Sequence, residues 1–183
     1  MAKRPLPSPE VLRQLIRYVP ETGEFFWNER PREFFPNERV WRSWNSRRAG
    51  TRAFAQTEYG SSSVLNVKCK AHRVAWAIYH GAWPDGCIDH VNGNPEDQRI
   101  ENLRLATKSE NAMNRKVPAN STSGFKGVSW DTEARKWKAH IKRGGFKKNL
   151  GRFHCPIDAA RAYNTAAKDL FGDFALLNEI PSA

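Results

Sequence analysis

Asp89, His90 and Asn111 have the residue types that metal-assisted hydrolysis of a phosphodiester needs. Such a reaction requires a base for the attacking water and a divalent cation that takes up charge on the phosphate. An imidazole supplies the base, and a hard cation is satisfied by one carboxylate, one carboxamide, phosphate oxygens and water. An isolated Asp-His pair is common on protein surfaces, but this pair precedes an Asn-Gly turn, and Asn102 and Asn111 follow it. The pattern therefore predicts a hydrolytic site that uses Mg²⁺ or Mn²⁺.

The segments around these residues are predicted to form a strand, a turn, a second strand and a helix. Residues 88–91 form the first strand and residues 102–107 return antiparallel to it. The helix spans 108–115, with Thr107 at its N-cap and Glu110 completing a capping box. Neighbouring residues of a strand point to opposite faces, so the Asp-His pair shares one site only if the strand bends at its end. The Asn-Gly turn favours that bend.

Residues 71–115 resemble the HNH nuclease motif of phage and intron-encoded homing endonucleases, in the variant of the motif whose last residue is Asn. The matching pieces are Ala71-His72-Arg73-Val74-Ala75, Asp89-His90-Val91-Asn92-Gly93-Asn94, Glu101-Asn102-Leu103-Arg104 and Ser109-Glu110-Asn111. Within the first piece His72 and Arg73 are candidate accessory residues. A capping or packing role is the favoured alternative for His72.

The resemblance implies a ββα-metal nuclease unit that cuts duplex DNA and leaves a 3′-hydroxyl and a 5′-phosphate. It implies that His90 is the general base and that Asp89 and Asn111 bind the Mg²⁺ or Mn²⁺ ion. Asn102 belongs to the catalytic set because it holds the catalytic loop and fixes the tautomer of His90. One such site cuts one strand and gives a nick. A double-strand break needs a dimer or two successive cleavage events.

The cysteines Cys69, Cys87 and Cys155 are far apart and form no Cys-x-x-Cys pair. We therefore expect neither a structural zinc, which other HNH proteins bind with cysteine pairs, nor a disulfide framework. No apolar run reaches membrane-spanning length, and the N-terminus lacks a secretory signal. These features predict a cytoplasmic protein without a membrane partner or small-molecule cofactor, located in the host cell cytoplasm if a phage encodes it.

Residues 1–70 are predicted to form an N-terminal extension of the nuclease, comprising a helix, an Arg-rich loop and a hairpin. Ser8 caps the helix, whose apolar face comprises Leu12, Leu15, Ile16 and Val19. Residues 28–50 show no clear period and are predicted to be an irregular loop, and the later hairpin turns at residues 60–63. A helix follows at 71–80. The extension either completes the nuclease fold or adds DNA contacts, and the second role is favoured by Arg42, Arg47, Arg48 and Arg52.

The C-terminal part begins after a polar linker at 116–123 and spans 124–178. Its predicted strands cover 125–130, 136–142 and 147–153, and its helix covers 157–171. In the middle strand Trp137, Ala139 and Ile141 alternate with Lys138, His140 and Lys142. One face is therefore apolar and packs on the helix, and the other is basic.

This C-terminal part resembles the AP2 domain, a three-stranded antiparallel sheet packed on one helix that reads the major groove of DNA. The matching pieces are Gly124-Phe125-Lys126-Gly127-Val128, Trp137-Lys138-Ala139-His140-Ile141, Leu150-Gly151-Arg152-Phe153, Ala159-Ala160-Arg161-Ala162-Tyr163-Asn164 and Leu177-Asn178. The DNA contacts implied are Lys126, Trp130, Arg135, Lys138, His140, Lys142 and Lys147. Ser129 and Asn149 stand where the plant members have Arg and Trp, so their base preference is not transferred.

The whole chain is thus expected to have an α+β fold and to bind double-stranded DNA. Its net charge of +11 over 183 residues agrees with a polyanionic partner. A DNA-binding transcriptional regulator with an inactive HNH unit is one alternative, and a protein that binds or cuts RNA is another. The choice between monomer and homodimer stays open.

Overall fold

The computed structural model describes residues 4–55, 61–114, 117 and 121–181. The chain divides into two units, Met1–Leu105 and Ala106–Ala183. Both combine helices with small antiparallel sheets. None of the helices in the described ranges is long and apolar enough to cross a membrane.

In its described residues the first unit has three α-helices and three two-stranded sheets. Its helices are α1 (Pro9–Leu15), α2 (Glu38–Arg48) and α3 (Ala71–His80). Its strands pair as β1 (Ile16–Val19) with β2 (Glu24–Trp27), β3 (Ser61–Val64) with β4 (Val67–Lys70), and β5 (Cys87–His90) with β6 (Leu103–Ala106). One hydrophobic core contains residues from Leu12 through Leu103. The N-terminal extension therefore shares its core with the predicted catalytic segment.

Three predictions for residues 1–70 are wrong. The first helix ends at Leu15, and Ile16–Val19 forms a strand because its residues alternate between buried and more exposed positions opposite β2. The predicted Arg-rich loop is largely α2, which carries Arg42, Arg47 and Arg48 and is capped by the Asn37 side chain accepting from Val40 N. The hairpin turns at Leu65–Asn66, where φ is 50° and 63°, and Ser61–Val64 is its first strand. Gly60 lies outside the described residues.

The second unit contains a three-stranded antiparallel sheet with a long helix packed on it. Its elements are α4 (Lys108–Met113), β7 (Val128–Asp131), β8 (Lys136–Arg143), β9 (Phe146–Phe153) and α5 (Pro156–Phe171), and the sheet order is β7-β8-β9. Small and aromatic residues of α5 are buried against the sheet: Ala159, Ala160, Tyr163, Ala167 and Phe171. Four of the eight residues of the predicted linker, 116 and 118–120, lie outside the described residues, as does Arg115 at the predicted end of α4.

Candidate active site and candidate nucleic-acid interface

The strand β5 ends at the predicted catalytic pair. Asp89 and His90 are both buried, with 4% and 9% of their surfaces exposed. The backbone N–H of Val91 donates to the Asn102 carbonyl at 2.9 Å, which keeps the strand paired up to its last residue. The hairpin thereby brings Asp89, His90 and Asn102 into one small region of the first unit.

Gln98 holds one ring nitrogen of His90. The Nε2 amide group of Gln98 donates to the Pro95 carbonyl at 2.6 Å, so its Oε1 is directed toward His90, whose Nε2 lies 3.2 Å away. Because Oε1 can only accept, the imidazole nitrogen must be the donor. A neutral imidazole with its proton on Nε2 has its lone pair on Nδ1. This contact therefore selects the tautomer in which Nδ1 is the basic atom.

Asn102 bridges the two ends of the loop between the strands. It is buried, and its Oδ1 accepts from Asn92 N at 2.9 Å while its Nδ2 donates to the Asp97 carbonyl at 2.9 Å. The same loop is tied by Asn92 Nδ2, which donates to Asp97 Oδ2 at 2.8 Å, and by Arg99. These hydrogen bonds, those from Arg99 most, lower the pKa of Asp97 to about 2. The loop is thus fixed largely by its own polar side chains.

The N-terminal hairpin β1–β2 supports this loop from outside. The Tyr18 hydroxyl donates to the Gln98 carbonyl at 2.6 Å, and Ile100 N donates to the Pro20 carbonyl at 3.0 Å. Gly23, with φ of 74°, lies so close that a Cβ atom there would be 2.6 Å from Arg99 N. Residues of the extension therefore set the backbone position of Gln98, and through it the orientation of the His90 imidazole.

Asp89 is ion-paired with Arg104 on the neighbouring strand β6. Nε and Nη2 of Arg104 donate to Asp89 Oδ2 at 2.9 and 2.8 Å. Two donors from one planar guanidinium orient the carboxylate more firmly than a single bond does.

The two candidate accessory residues differ in position. The ring of His72 contacts His90 edge-on, with 5.4 Å between centroids, so His72 lies beside the site. Burial above all, and then nearby positive charge, lowers the pKa of His72 to about 4. Arg73 instead donates to the carbonyls of Gly86 and Pro84 at 2.9 and 3.0 Å and holds the turn that precedes β5.

The donor chemistry of Asp89 and Asn111 fits a hard divalent cation, because both side chains offer oxygen. Asn111 lies on α4 in the second unit, and its sharing of a metal with Asp89 stays a prediction. The helix begins as predicted, since Thr107 Oγ1 accepts from Glu110 N while Glu110 Oε2 accepts from Thr107 N. Across the described residues there is no group of three or more His, Cys, Asp or Glu side chains that could hold a metal.

One face of the three-stranded sheet carries a row of basic side chains, here called the basic face. On β8 the residues Lys138, His140 and Lys142 alternate with buried Ala139 and Ile141. Across the sheet Lys147 lies directly opposite Lys142, and Arg152 lies opposite Lys138. Burial, followed by the charges of Lys147, Lys142 and Lys138, lowers the pKa of His140. Directly opposed lysines repel each other, so this face favours an anionic partner.

Three predicted DNA contacts lie away from the basic face. Lys126 is partly buried, and its ammonium donates to the Met113 carbonyl at the end of α4. Trp130 pairs with Trp137 and shares its face, which alternation assigns to the helix side of the sheet. Arg135 is exposed in the turn between β7 and β8.

The sequence interpretation did not identify Gln98, Arg104 or Tyr18 as site residues. Arg104 stood within a quoted motif, but its contact with Asp89 depends on the pairing of β5 with β6. Gln98 and Tyr18 are 80 positions apart, and no local pattern connects them.

Comparisons with known proteins identify the family to which the predicted catalytic segment is similar. The family model described as HNH endonuclease matches residues 69–113, which span α3, the β5–β6 hairpin and α4. Protein 3.8 of Escherichia phage T7 is 36% identical over 107 residues, which are 58% of this chain and 88% of the phage protein. The chain belongs to the HNH endonuclease family. A protein of Acanthamoeba polyphaga mimivirus named as an HNH endonuclease is 33% identical over 115 residues, 62% of this chain and 59% of that protein. The HNH match contains the predicted nuclease residues His72, Asp89, His90, Asn102 and Asn111, whose individual roles stay predictions.

Proposed function

We propose that this protein is a metal-dependent HNH endonuclease that hydrolyses phosphodiester bonds of duplex DNA. The observation that carries the proposal is the buried His90, whose Nε2 is held by Gln98 so that Nδ1 has the lone pair. A base must present its lone pair in a fixed direction to take a proton from water efficiently. The family membership supplies the reaction class, and this contact supplies the acting atom.

His90 Nδ1 takes the proton of the attacking water, and Gln98 stabilises the resulting imidazolium because its carbonyl oxygen accepts from Nε2–H. Asn102 is a positioning residue: it keeps the loop closed so that Gln98 stays in reach of the ring. Asp89 and Asn111 would hold Mg²⁺ or Mn²⁺, which when bound stabilises negative charge on the phosphate. Arg104 orients Asp89 for that role.

The second unit is proposed to be an AP2-like module that places the nuclease on duplex DNA. Support comes from its sheet order, its single packed helix and the basic face of Lys138, His140, Lys142, Lys147 and Arg152. Lysine contacts phosphate mainly as a point charge, so this face contributes affinity more than base selection. A homing role in a phage or virus, with cutting in the host cell cytoplasm, is part of the proposal, and the phage and viral origin of the relatives agrees with it.

Nicking of supercoiled plasmid tests the proposal. We expect the wild-type protein to nick the plasmid with Mg²⁺ and not with EDTA, and His90→Ala to bind DNA without cutting it. His154→Ala is the matched control, because His154 is an exposed histidine of the second unit outside the basic face. Undiminished nicking by purified His90→Ala would refute the assignment of the base. If the wild-type protein nicks no duplex in the presence of Mg²⁺, the result would favour a DNA-binding regulator.

A further inference from the structure

A cleft in the first unit contains several arginines and is lined by none of the HNH residues. Its volume is about 810 Å³, and it lies between the end of β2, helix α2 and the β3–β4 hairpin. The side chains that matter here are Trp27, Arg30, Trp44, Arg47, Arg48 and Arg52. Among the described residues no Asp or Glu lines the cleft. Four guanidinium groups without a lining carboxylate make it a strongly positive cleft.

Arg30 is the fixed cation of this cleft. Its guanidinium carbon lies 3.9 Å from the ring centroid of Trp44 and 5.0 Å from that of Trp27. Its backbone is clamped as well: its carbonyl accepts from Trp41 Nε1 at 2.7 Å and from Asn45 Nδ2 at 3.0 Å. Helix α2, which provides Trp41, Trp44 and Asn45, thus holds Arg30 in one place.

The side chain of Arg30 is buried and has no acidic partner in the part of the chain that the structure describes. Only 9% of the residue is exposed, its Nε has no hydrogen-bond partner, and within the described ranges it makes no ion pair. Burial lowers its pKa to about 10. An unpaired buried cation destabilises a fold, and cation–π contacts offset only part of that cost. The arrangement is explained if an anion from another molecule completes it.

We propose that Arg30 receives a backbone phosphate of the DNA, and that Arg47 and Arg48 at the rim of the cleft hold the same strand. A guanidinium matches phosphate with two parallel hydrogen bonds, and a positive cleft attracts a strand over a longer range. Arg52 adds charge but is already paired with Glu24. The inference rests on the proposed function, since it takes DNA as the anion, and it gives the N-terminal extension a binding role beside its support of the catalytic loop.

Binding of a labelled duplex by the full-length protein, measured in EDTA by fluorescence anisotropy over a series of salt concentrations, tests this site. Arg30→Met keeps an unbranched side chain between the tryptophans and removes the charge. We expect the affinity for the duplex to fall about tenfold. The slope of log affinity against log salt concentration should also become shallower, by the amount that corresponds to about one phosphate contact. The matched control is Arg39→Met on helix α2, an exposed arginine outside the cleft, and its affinity should stay within about twofold of wild type.

Thermal unfolding separates a binding site from a structural role. If Arg30 serves binding, Arg30→Met should unfold at the wild-type temperature or above it, because an unpaired buried charge is removed. The double variant Arg47→Gln/Arg48→Gln changes exposed residues and should weaken duplex binding with no loss of stability. The inference is overturned if both proteins bind DNA like wild type, or if Arg30→Met unfolds early while the double variant binds normally.

Failure of this inference is distinguishable from failure of the proposed function. If the wild type nicks DNA and the cleft variants bind normally, only the phosphate site is wrong. If the cleft variants lose DNA binding but no protein nicks DNA, the site stands and the nuclease assignment fails.

Discussion

Replacing Gln98 with Leu tests the tautomer argument on the catalytic histidine. The substitution removes the acceptor at 3.2 Å from His90 Nε2 and the donor at 2.6 Å from the Pro95 carbonyl. A buried N–H left unpaired costs about 1–3 kcal/mol, and the ring escapes part of that cost by moving its proton to Nδ1, where it blocks the base. Since about 1.4 kcal/mol corresponds to a factor of ten, we expect cleavage to slow by about 5- to 150-fold.

The assay is single-turnover cleavage of an end-labelled duplex at saturating protein, with binding measured separately in EDTA. Gln98→Glu is the matched control, because it also loses the bond to Pro95 but keeps an oxygen that accepts from His90 Nε2. The difference between the two variants therefore reports the acceptor at His90 Nε2 together with the negative charge that the carboxylate adds. Nitrogen NMR of the imidazole should report the Nε2–H tautomer in the wild type and a mixture in Gln98→Leu. Equal rates for Gln98→Leu and wild type, with a wild-type circular dichroism spectrum, would refute the reasoning.

Three further changes extend the test. Asn102→Ala removes both loop hydrogen bonds, so the free energy of unfolding measured in urea should fall by about 2–4 kcal/mol and cleavage should be slower. An unchanged midpoint of the urea unfolding curve would contradict the bridging role of Asn102. Gly23→Ala places a Cβ atom 2.6 Å from Arg99 N at a φ of 74°. The free energy of unfolding should fall by about 1–3 kcal/mol. A melting temperature equal to that of the wild type would show that the loop does not pack against Gly23. Burial and the neighbouring lysines lower the pKa of His140, so this residue is neutral at pH 7 and gains its charge only as the pH falls below its lowered pKa. Once His140 is protonated, duplex affinity should rise more for wild type than for His140→Gln; equal rises after histidine NMR has shown that His140 is protonated would place it away from the DNA.

The elements that the sequence predicted well have strong local signals. The capping box of Thr107 and Glu110 starts α4 where expected, and α3 covers the predicted residues 71–80. The three strands of the second unit and α5 also lie close to their predicted ranges, because alternating apolar and basic residues define the strand β8. Patterns within a few neighbouring residues were enough for these elements.

The elements that the sequence mispredicted depend on distant partners. Ile16 and Val19 continue the apolar spacing of α1, and only pairing with β2 turns their segment into a strand. Helix α2 has no fully buried residue, so it lacks the apolar stripe by which a helix is recognised, and its tryptophans contact residues on other elements. The turn at Leu65–Asn66 uses two non-glycine residues at positive φ, which turn propensities seldom indicate.

The candidate site likewise contains residues that the sequence predicted and partners that depend on distant parts of the chain. Asp89 and His90 were selected from their residue types and Asn102 from the resemblance to the HNH motif, and the hairpin brings them together in the first unit. The positions of their partners Gln98, Arg104 and Tyr18 follow only from the pairing of β5 with β6 and from the packing of the N-terminal hairpin. The joint metal site of Asp89 and Asn111 stays a prediction.

The most direct test of the account compares single-turnover cleavage by wild type and His90→Ala at matched DNA occupancy with Mg²⁺, with and without added imidazole. We predict that the variant binds the duplex normally and cuts about 10²- to 10⁴-fold more slowly, as expected for loss of a general base, and that imidazole restores part of the rate. A cleavage rate for His90→Ala equal to that of the wild type would contradict the assignment of His90 as the base.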